Sequence, residues 1–307
     1  MGAIVVEDDA VKKYLKAGDI ARRVLREASK LVEPGRKLLD ICEKVERLIV
    51  EYGAAPAFPC NISVNEVAAH YSPLVDDVAV VPEDSLVKID VGVQVDGFIA
   101  DTAATLSFND RLYPLVEAVR EALEKALETI KPGARFAETG RAVHDTLKRR
   151  GFNPIINLSG HSLARYKVHA GESIPNTAEG FIRGKYVPGK AYAIEPFGTT
   201  GIGVVVEGGV VSIYSLVREK LRRRLDEHEA RLLAAIRERY RTLPFSERWL
   251  TDLISDVGLL REKLGRLSKM GYLAKYPVLV ERSGGMVAQF EHTVLITSTG
   301  EVIVTTL

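Results

Sequence analysis

Two segments of the chain repeat one arrangement of proline and glycine at a fixed offset. A Pro-Gly dipeptide at 34–35 is followed 18 residues later by Gly53. A second dipeptide at 132–133 is followed 18 residues later by Gly151, 98 positions further along the chain. In both copies a charged helical pattern comes before the dipeptide, and a second helical pattern and predicted strands come after it. The equal spacing and similar flanks indicate an internal duplication. The sequence therefore predicts an α+β domain with a pseudo-two-fold repeat and a ligand site between its halves.

Residues 87–102 predict a β-hairpin that carries two carboxylates on one face. Two alternating apolar segments flank an Asp-Gly dipeptide at 96–97, which is typical of a two-residue hairpin turn. With that turn Asp101 lies opposite Gly92, on the same face as Asp90, because residues two apart in a strand share a face. Like charges inside an apolar hairpin are costly unless a positive group lies between them. A metal ion is one such group. A turn cap at Asp101 with a salt bridge at Asp90 is the alternative.

Three more ionisable residues lie in short apolar or glycine-containing segments: His161, Glu195 and Glu291. A charged residue in a core segment usually pairs with another charge or binds a metal. Together with the two aspartates they form an oxygen-rich set that suits Mn, Fe(II), Co or Zn. Four carboxylates also balance the charge of two divalent cations. We therefore predict a dinuclear site at Asp90, Asp101, His161, Glu195 and Glu291.

Five motifs that extend over nearly the whole chain resemble those of the type 2 methionine aminopeptidases in a compact, archaeal form. They lie at residues 58–73, 87–102, 160–171, 194–197 and 289–293. The resemblance implies the pita-bread fold, with residues 1–307 as a single catalytic domain. It also implies that residues 216–276 form a helical insertion subdomain within that domain, which the shorter type 1 enzymes lack.

The resemblance implies a role for each metal ligand. Asp101 and Glu291 would bridge two divalent cations. Asp90 would complete the coordination of one ion, and His161 and Glu195 that of the other. The residues alone do not identify the metal, because the same ligand set accepts Co, Mn, Fe(II) or Zn.

The resemblance also implies a reaction in which two metal ions activate a water as hydroxide for attack on the carbonyl group of the first residue. Glu195 is the candidate proton shuttle. His169 would stabilise the tetrahedral oxyanion, and His70 would hold the scissile amide and help its nitrogen leave.

The implied substrates are peptides and nascent proteins that begin with methionine and continue with Gly, Ala, Ser, Thr or Val. The methionine side chain would lie in an apolar slot, in which some relatives carry a histidine at the position of Ile213. The residues that match this slot are Phe58, Val168, Ile213 and Tyr276.

Composition agrees with a soluble enzyme, for which we predict a cytoplasmic location, and the resemblance implies a monomer. The net charge of +1 gives no reason to expect specific DNA or a membrane surface as partner. Two cysteines do not indicate a disulfide scaffold and favour a reducing compartment. The N-terminus lacks a basic segment followed by a long apolar one, and no apolar run reaches the roughly 18 residues of a membrane span.

The segment 216–276 interrupts the repeat with charged, helical sequence. A basic run occupies residues 218–224, and residues 217–241 contain nine Lys or Arg against five Asp or Glu. Transient contact with the ribosome is one interpretation of this charge. A solvated helical face is the other.

Two further classes of protein share part of this pattern. The first is an Xaa-Pro aminopeptidase or prolidase of the same fold, which usually carries a large N-terminal domain, whereas here the repeat begins near residue 10. The second is a non-catalytic binding relative, in which metal ligands are lost. All five candidate ligands are present in this chain. Release of amino acids from Met-Ala-Ser and from Xaa-Pro peptides, with and without metal, separates the three classes.

Overall fold

The computed structural model describes residues 2–177, 183–218 and 224–307, with side chains from residue 8 onward, and alternates helices with mostly short strands. The helices are α1 (Gly2–Leu31), α2 (Leu38–Glu51), α3 (Tyr113–Glu128), α4 (Phe136–Arg149), α5 (Glu227–Arg239) and α6 (Val257–Lys269). The strands of the first half are β1 (Ala55–Pro56), β2 (Asn61–Val64), β3 (Val67–Ala69), β4 (Leu86–Val95) and β5 (Phe98–Ser107). Those that follow are β6 (Asn153–Pro154), β7 (Ser159–Leu163), β8 (Ser173–Pro175), β9 (Lys190–Ile194), β10 (Phe197–Thr199), β11 (Val205–Leu216), β12 (Phe245–Ser246), β13 (Leu273–Glu281), β14 (Val287–Gln289), β15 (His292–Ile296) and β16 (Val302–Val304).

Several elements of the first half recur in the second at the offset that the sequence predicts. Helix α2 and strand β1 recur as α4 and β6 with both ends shifted by 98 positions, and β7 begins 98 positions after β2. Each repeated helix is followed by a glycine in the left-handed region, Gly53 at a φ of 79° and Gly151 at a φ of 83°. Glycine adopts this conformation without steric cost and commonly terminates helices. The predicted pseudo-two-fold α+β architecture is therefore confirmed.

The predicted hairpin is formed by β4 and β5 with the expected register. Gly92 pairs with Asp101, and the last pair before the turn joins Val95 to Phe98. The two turn residues at 96–97 have φ values of 51° and 86°, as a two-residue hairpin turn requires. The other edge of β4 pairs with β1 and β2, and Asn61 is the partner of Asp90 there. Asp90 and Asp101 consequently share one face of the hairpin.

A second, antiparallel sheet has the strand order β16-β15-β9-β7-β8. In it His161 pairs with Ala193, and Ile194 pairs with His292. Glu195 directly follows β9 and Glu291 directly precedes β15, so these two residues lie at the ends of neighbouring strands, and His161 lies on the next strand, β7. A backbone bridge between Ala103 and Glu291 joins this sheet to the hairpin. The predicted ligands therefore meet where the two halves of the molecule come together.

Each half has its own apolar core. Helices α1 and α2 pack on the hairpin sheet, and helices α3 and α4 pack on the second sheet. A further cluster includes Leu232, Ile236, Phe245 and Leu264, which belong to the segment predicted as an insertion. Its helix α5 begins at Glu227, and residues 219–223 of the predicted basic run lie outside the described residues. Among the described residues, none of the helices combines the length and the apolarity that crossing a membrane requires.

Candidate metal centre

One cavity of about 300 Å³ lies between the two halves of the molecule. Every site residue that the sequence predicts lines it, together with Asn61, Gln289 and others. Those predicted residues are Phe58, His70, Asp90, Asp101, His161, Val168, His169, Glu195, Ile213, Tyr276 and Glu291. The volume is that of a small-molecule or side-chain site.

Buried carboxylates and one imidazole converge at this cavity. The ligand atoms of Asp101, His161 and Glu291 all lie within 4.8 Å of one another. The Nε2 atom of His161 is 3.4 Å from Oε1 of Glu195 and 3.7 Å from Oδ2 of Asp101. Burial lowers the pKa of His161 well below its usual value, so its imidazole is neutral, as metal binding requires.

The carboxylates lack the partners that buried acids need. Oδ1 of Asp90, Oδ1 of Asp101 and Oε1 of Glu291 are buried without a hydrogen-bond partner. Neither Lys nor Arg is among the described residues that line the cavity. Burial raises the pKa of Asp90 to about 7. Burial and, next, repulsion from neighbouring carboxylates raise the pKa of Asp101, Glu195 and Glu291 well above the usual range. These acids cannot all ionise near neutral pH without a cation among them, so the donor set fits divalent metal.

Gln289 belongs to this cluster, although no role for it is predicted from the sequence. Its Nε2 donates to Oε2 of Glu195 at 3.4 Å and to Oε2 of Glu291 at 3.3 Å. The sequence spacing could have indicated this position, because residues 289 and 291 are two apart and share one face of an extended segment. Gln289 thereby holds the two glutamates at a fixed separation.

Two further histidines line the same cavity. The ring of His169 lies 4.4 Å from the ring of His161 and stacks on Tyr276 at 6.2 Å. His70 has a φ of 66°, an uncommon backbone conformation that concentrates at functional sites, and its Nδ1 lies 3.2 Å from the carbonyl oxygen of Pro277. Burial lowers the pKa of His169 to about 4 and also lowers the pKa of His70. Both rings are therefore neutral near pH 7.

The remaining three histidines do not line the cavity. His292 contacts the hydroxyl of Thr306 through Nδ1 at 2.8 Å. His144 is half-buried on α4, and His228 is exposed on α5.

The apolar part of the cavity is formed by side chains from both halves. Ile213 and Tyr276 are direct partners on β11 and β13, and Phe58 lies against the hairpin at Gly92. A Cβ atom at Gly92 would come within 2.2 Å of the Phe58 ring, so the position of that ring depends on glycine there. Val168 closes the same wall. The result is an apolar recess beside the carboxylates.

Residues 12–298 match the model of metallopeptidase family M24. The methionine aminopeptidase of Thermococcus kodakarensis is 47% identical over 97% of this chain and 100% of its own length. That of Pyrococcus abyssi is 48% identical over 96% of this chain and 99% of its own. Among solved structures, a methionine aminopeptidase from Thermotoga maritima is 25% identical with a TM-score of 0.69 over 97% of this chain and 96% of its own.

Proposed function

The chain belongs to metallopeptidase family M24 and is a metal-dependent aminopeptidase that removes N-terminal methionine, and we propose that it uses two divalent cations and acts on chains whose second residue is small. The observation that carries this proposal is the cluster of four buried carboxylates and a neutral imidazole beside an apolar recess. Asp101 and Glu291 would bridge the two ions, with Asp90 on one of them and His161 and Glu195 on the other. The identity of the metal, among Co, Mn, Fe(II) and Zn, would depend on availability.

Bound divalent cations supply a water of lowered pKa as nucleophile and polarise the substrate carbonyl. Glu195 would take the proton of that water and pass it to the leaving amine nitrogen. The neutral ring of His169 would donate an N–H to the tetrahedral oxyanion, a contribution of about 2.7–4 kcal/mol by analogy with other oxyanion donors.

His70 would position the scissile amide. Its Nδ1 faces the carbonyl oxygen of Pro277, a group that only accepts, so the Nδ1–H tautomer is the one that fits. The opposite nitrogen, Nε2, would then accept the N–H of the scissile amide. This contact would hold the amide nitrogen where the proton from Glu195 can reach it.

Substrate choice would follow from two restrictions. Methionine is unbranched and fits the recess formed by Phe58, Val168, Ile213 and Tyr276. The side chain of the second residue would lie close to the attacking water and to His70, where a large group displaces the amide from a reactive position. We therefore expect Gly, Ala, Ser, Thr and Val at the second position.

A peptide release assay tests the proposed activity. We expect methionine to be released from Met-Ala-Ser, much more slowly from Met-Lys-Ser, and not after chelation of metal, with activity restored when Mn or Co is added back. Equal rates on Ala-Pro-Ser and Met-Ala-Ser would instead favour the Xaa-Pro peptidase alternative. No release from any peptide with metal bound would favour a non-catalytic relative.

The number of ions is tested separately by calorimetric titration of the metal-free protein. We expect two binding events, and the loss of both in Asp101→Asn, because a bridging ligand serves both ions. Two undiminished events in this variant would contradict the bridging role of Asp101.

Nascent proteins are the proposed physiological substrates of the enzyme, which we propose to be a cytoplasmic monomer.

Ion pairs within the described part of the insertion bear on the predicted ribosome contact. Arg239 is paired with Asp252 at 2.6 Å, Lys263 with Asp226 at 3.1 Å, and Arg266 with Glu229 at 2.8 Å. These pairs neutralise part of the positive charge of the segment, which weakens the prediction of ribosome contact. Glu229 and Lys263 are themselves buried.

A further inference from the structure

We infer that the substrate site continues from the metal cavity into an open groove that holds residues three to five of the peptide, with Ile156 as an apolar contact for one of their side chains. The inference rests on the proposed function and deepens it. Residues 157–159 and 171–173 line both the cavity and the groove, whereas Ile156, Pro175 and Arg183 line the groove alone. A peptide whose first residue occupies the cavity therefore has a continuous path out along these two segments.

The wall that the cavity and the groove share leads into strands β7 and β8, and β7 also carries His161. On β7 and β8, His161 pairs with Ser173, and Ser159 pairs with Pro175. Strand β8 is at the edge of its sheet, where an extended chain can run alongside. The side chain of Asn176 donates to the carbonyl oxygens of Leu158 at 3.1 Å and of Glu195 at 3.2 Å. The groove is consequently fixed in position relative to the candidate proton shuttle.

Ile156 is presented at the groove by a backbone that is already hydrogen-bonded. Its N–H donates to the carbonyl oxygen of Gly203 at 2.9 Å. The neighbouring Asn157 side chain donates to the carbonyl oxygen of Val205 at 2.8 Å and accepts from its N–H at 2.9 Å. Nevertheless 56% of the Ile156 surface is exposed. An exposed apolar side chain on a fixed backbone loses little entropy on binding and can bury apolar surface of a ligand.

The groove also carries polar and charged groups, which favours an extended peptide over a lipid or a nucleic acid. Glu172 adds a carboxylate, whose partner Lys190 lies 2.9 Å away, and its backbone N–H and C=O are both bonded to Ser162. Arg183 contributes a charge of the opposite sign. Leu158 and Pro175 also line the groove, and Ile156 is the most exposed of these apolar side chains. A rim of mixed charge around an apolar patch suits a backbone with polar groups and an apolar side chain.

The test compares pentapeptides with Met-Ala-Ser. The set is Met-Ala-Ser-Ser-Ser and the three peptides in which leucine replaces the serine at position three, four or five. For the unmodified enzyme we expect one of the three leucine peptides to exceed the all-serine pentapeptide in kcat/KM by about tenfold, the lower end of the range for apolar contacts. In Ile156→Ser we expect this preference to disappear, while kcat/KM for Met-Ala-Ser stays within about twofold.

Val78→Ser is the matched control, because Val78 is an apolar residue with 80% of its surface exposed that does not line the groove. It should keep the leucine preference. Circular dichroism of the Ile156 variants shows whether a lost preference comes from a lost contact or from a disturbed fold. Ile156→Thr is the milder of the two substitutions. The inference is wrong if the unmodified enzyme shows no leucine preference at any position, or if the preference persists in both Ile156 variants. Failure of the unmodified enzyme to cut Met-Ala-Ser would be a failure of the proposed function instead.

Discussion

At Asp101 a single hydroxyl fixes the backbone of a buried acid and leaves its carboxylate available. Oγ1 of Thr293 accepts from the Asp101 N–H at 2.7 Å and donates to the Asp101 carbonyl oxygen at 2.8 Å. Thr102 similarly donates to the carbonyl oxygen of Glu291 at 2.9 Å. Because these bonds hold the main chain, Oδ1 of Asp101 and Oε1 of Glu291 remain without a partner and are available to a cation. Such preorganisation of ligands by surrounding groups strengthens metal binding.

The two neighbouring histidines of the cavity should respond differently to removal. His169→Ala is expected to lower kcat by ~10²–10³ and to leave metal content unchanged, because it removes only a donor to the transition state. His161→Ala is expected to lose metal as well as rate. Steady-state kinetics and elemental analysis of the purified variants measure both quantities.

His169→Gln, which keeps an N–H donor, serves as the control and should recover part of the lost kcat. If His169→Ala and His161→Ala lose metal equally, then the roles of ligand and oxyanion donor have been assigned wrongly.

The ionisable residues of the site could be predicted from the sequence, but the groups that hold them could not. An acid within an apolar run is conspicuous in any sequence, because burial of a charge is costly. Thr293 is not conspicuous, and its partner Asp101 lies 192 positions earlier. Their contact depends on the bridge between the hairpin and the second sheet, and no local pattern encodes that bridge.

Among the elements, the hairpin β4–β5 was predicted in register because its determinants are local. An Asp-Gly turn and two alternating segments suffice to decide which residues face each other. Lys88 lies on the same face as Asp90, and from the pattern alone a lysine would be expected to face solvent. In the structure it is buried and donates to the carbonyl oxygens of Asn65 at 3.0 Å and Val287 at 2.9 Å. It thereby connects β4 to β14, a long-range contact that the sequence pattern does not contain.

Burial of Lys88 should make stability depend on pH in a defined direction. Burial lowers its pKa from 10.5 to about 7, and attraction to Glu66 offsets this in part. Between about pH 7 and pH 10 the unfolded chain then binds more protons at this site than the folded one, so the free energy of unfolding rises with pH. Below about pH 7 both states are protonated and the contribution of this residue is constant.

The comparison with Lys88→Met isolates this effect. In chelator, denaturant unfolding at several pH values should show the unmodified protein gaining free energy of unfolding relative to the variant, by at most ~1.4 kcal/mol per pH unit. A difference that does not change between pH 7 and pH 10 would show that Lys88 keeps an ordinary pKa in the folded protein.

At the scale of the whole molecule, a buried ion pair attaches the segment 216–276 to the first half. Arg248 donates to the carboxylate of Glu46 on α2 at 2.7 and 2.9 Å, and Trp249 Nε1 donates to it at 2.9 Å. The N–H of Cys60 adds a fourth bond at 3.1 Å. The charged helices of this segment could be predicted from composition and periodicity. The point where the segment attaches could not be predicted, because it joins residues about 200 positions apart. In the sequence, Glu46 and Arg248 look like ordinary surface charges.

Removal of Glu46 tests whether residues 216–276 behave as a subdomain. Glu46→Ala leaves Arg248 buried without its counter-charge, which typically costs about 3–5 kcal/mol. Trp249 is the single tryptophan of the chain, so its fluorescence reports on this contact. If the segment is a subdomain, the fluorescence transition in Glu46→Ala should occur at lower denaturant concentration than the far-UV circular dichroism transition. In the unmodified protein the two transitions should coincide.

Glu43→Ala is the control and should leave both transitions in place. Glu43 lies on the same helix and pairs only loosely with Arg47, at 3.9 Å. A shift of both probes together in Glu46→Ala would mean that the segment unfolds as an integral part of the catalytic domain, because a cooperative unit cannot release one of its contacts alone.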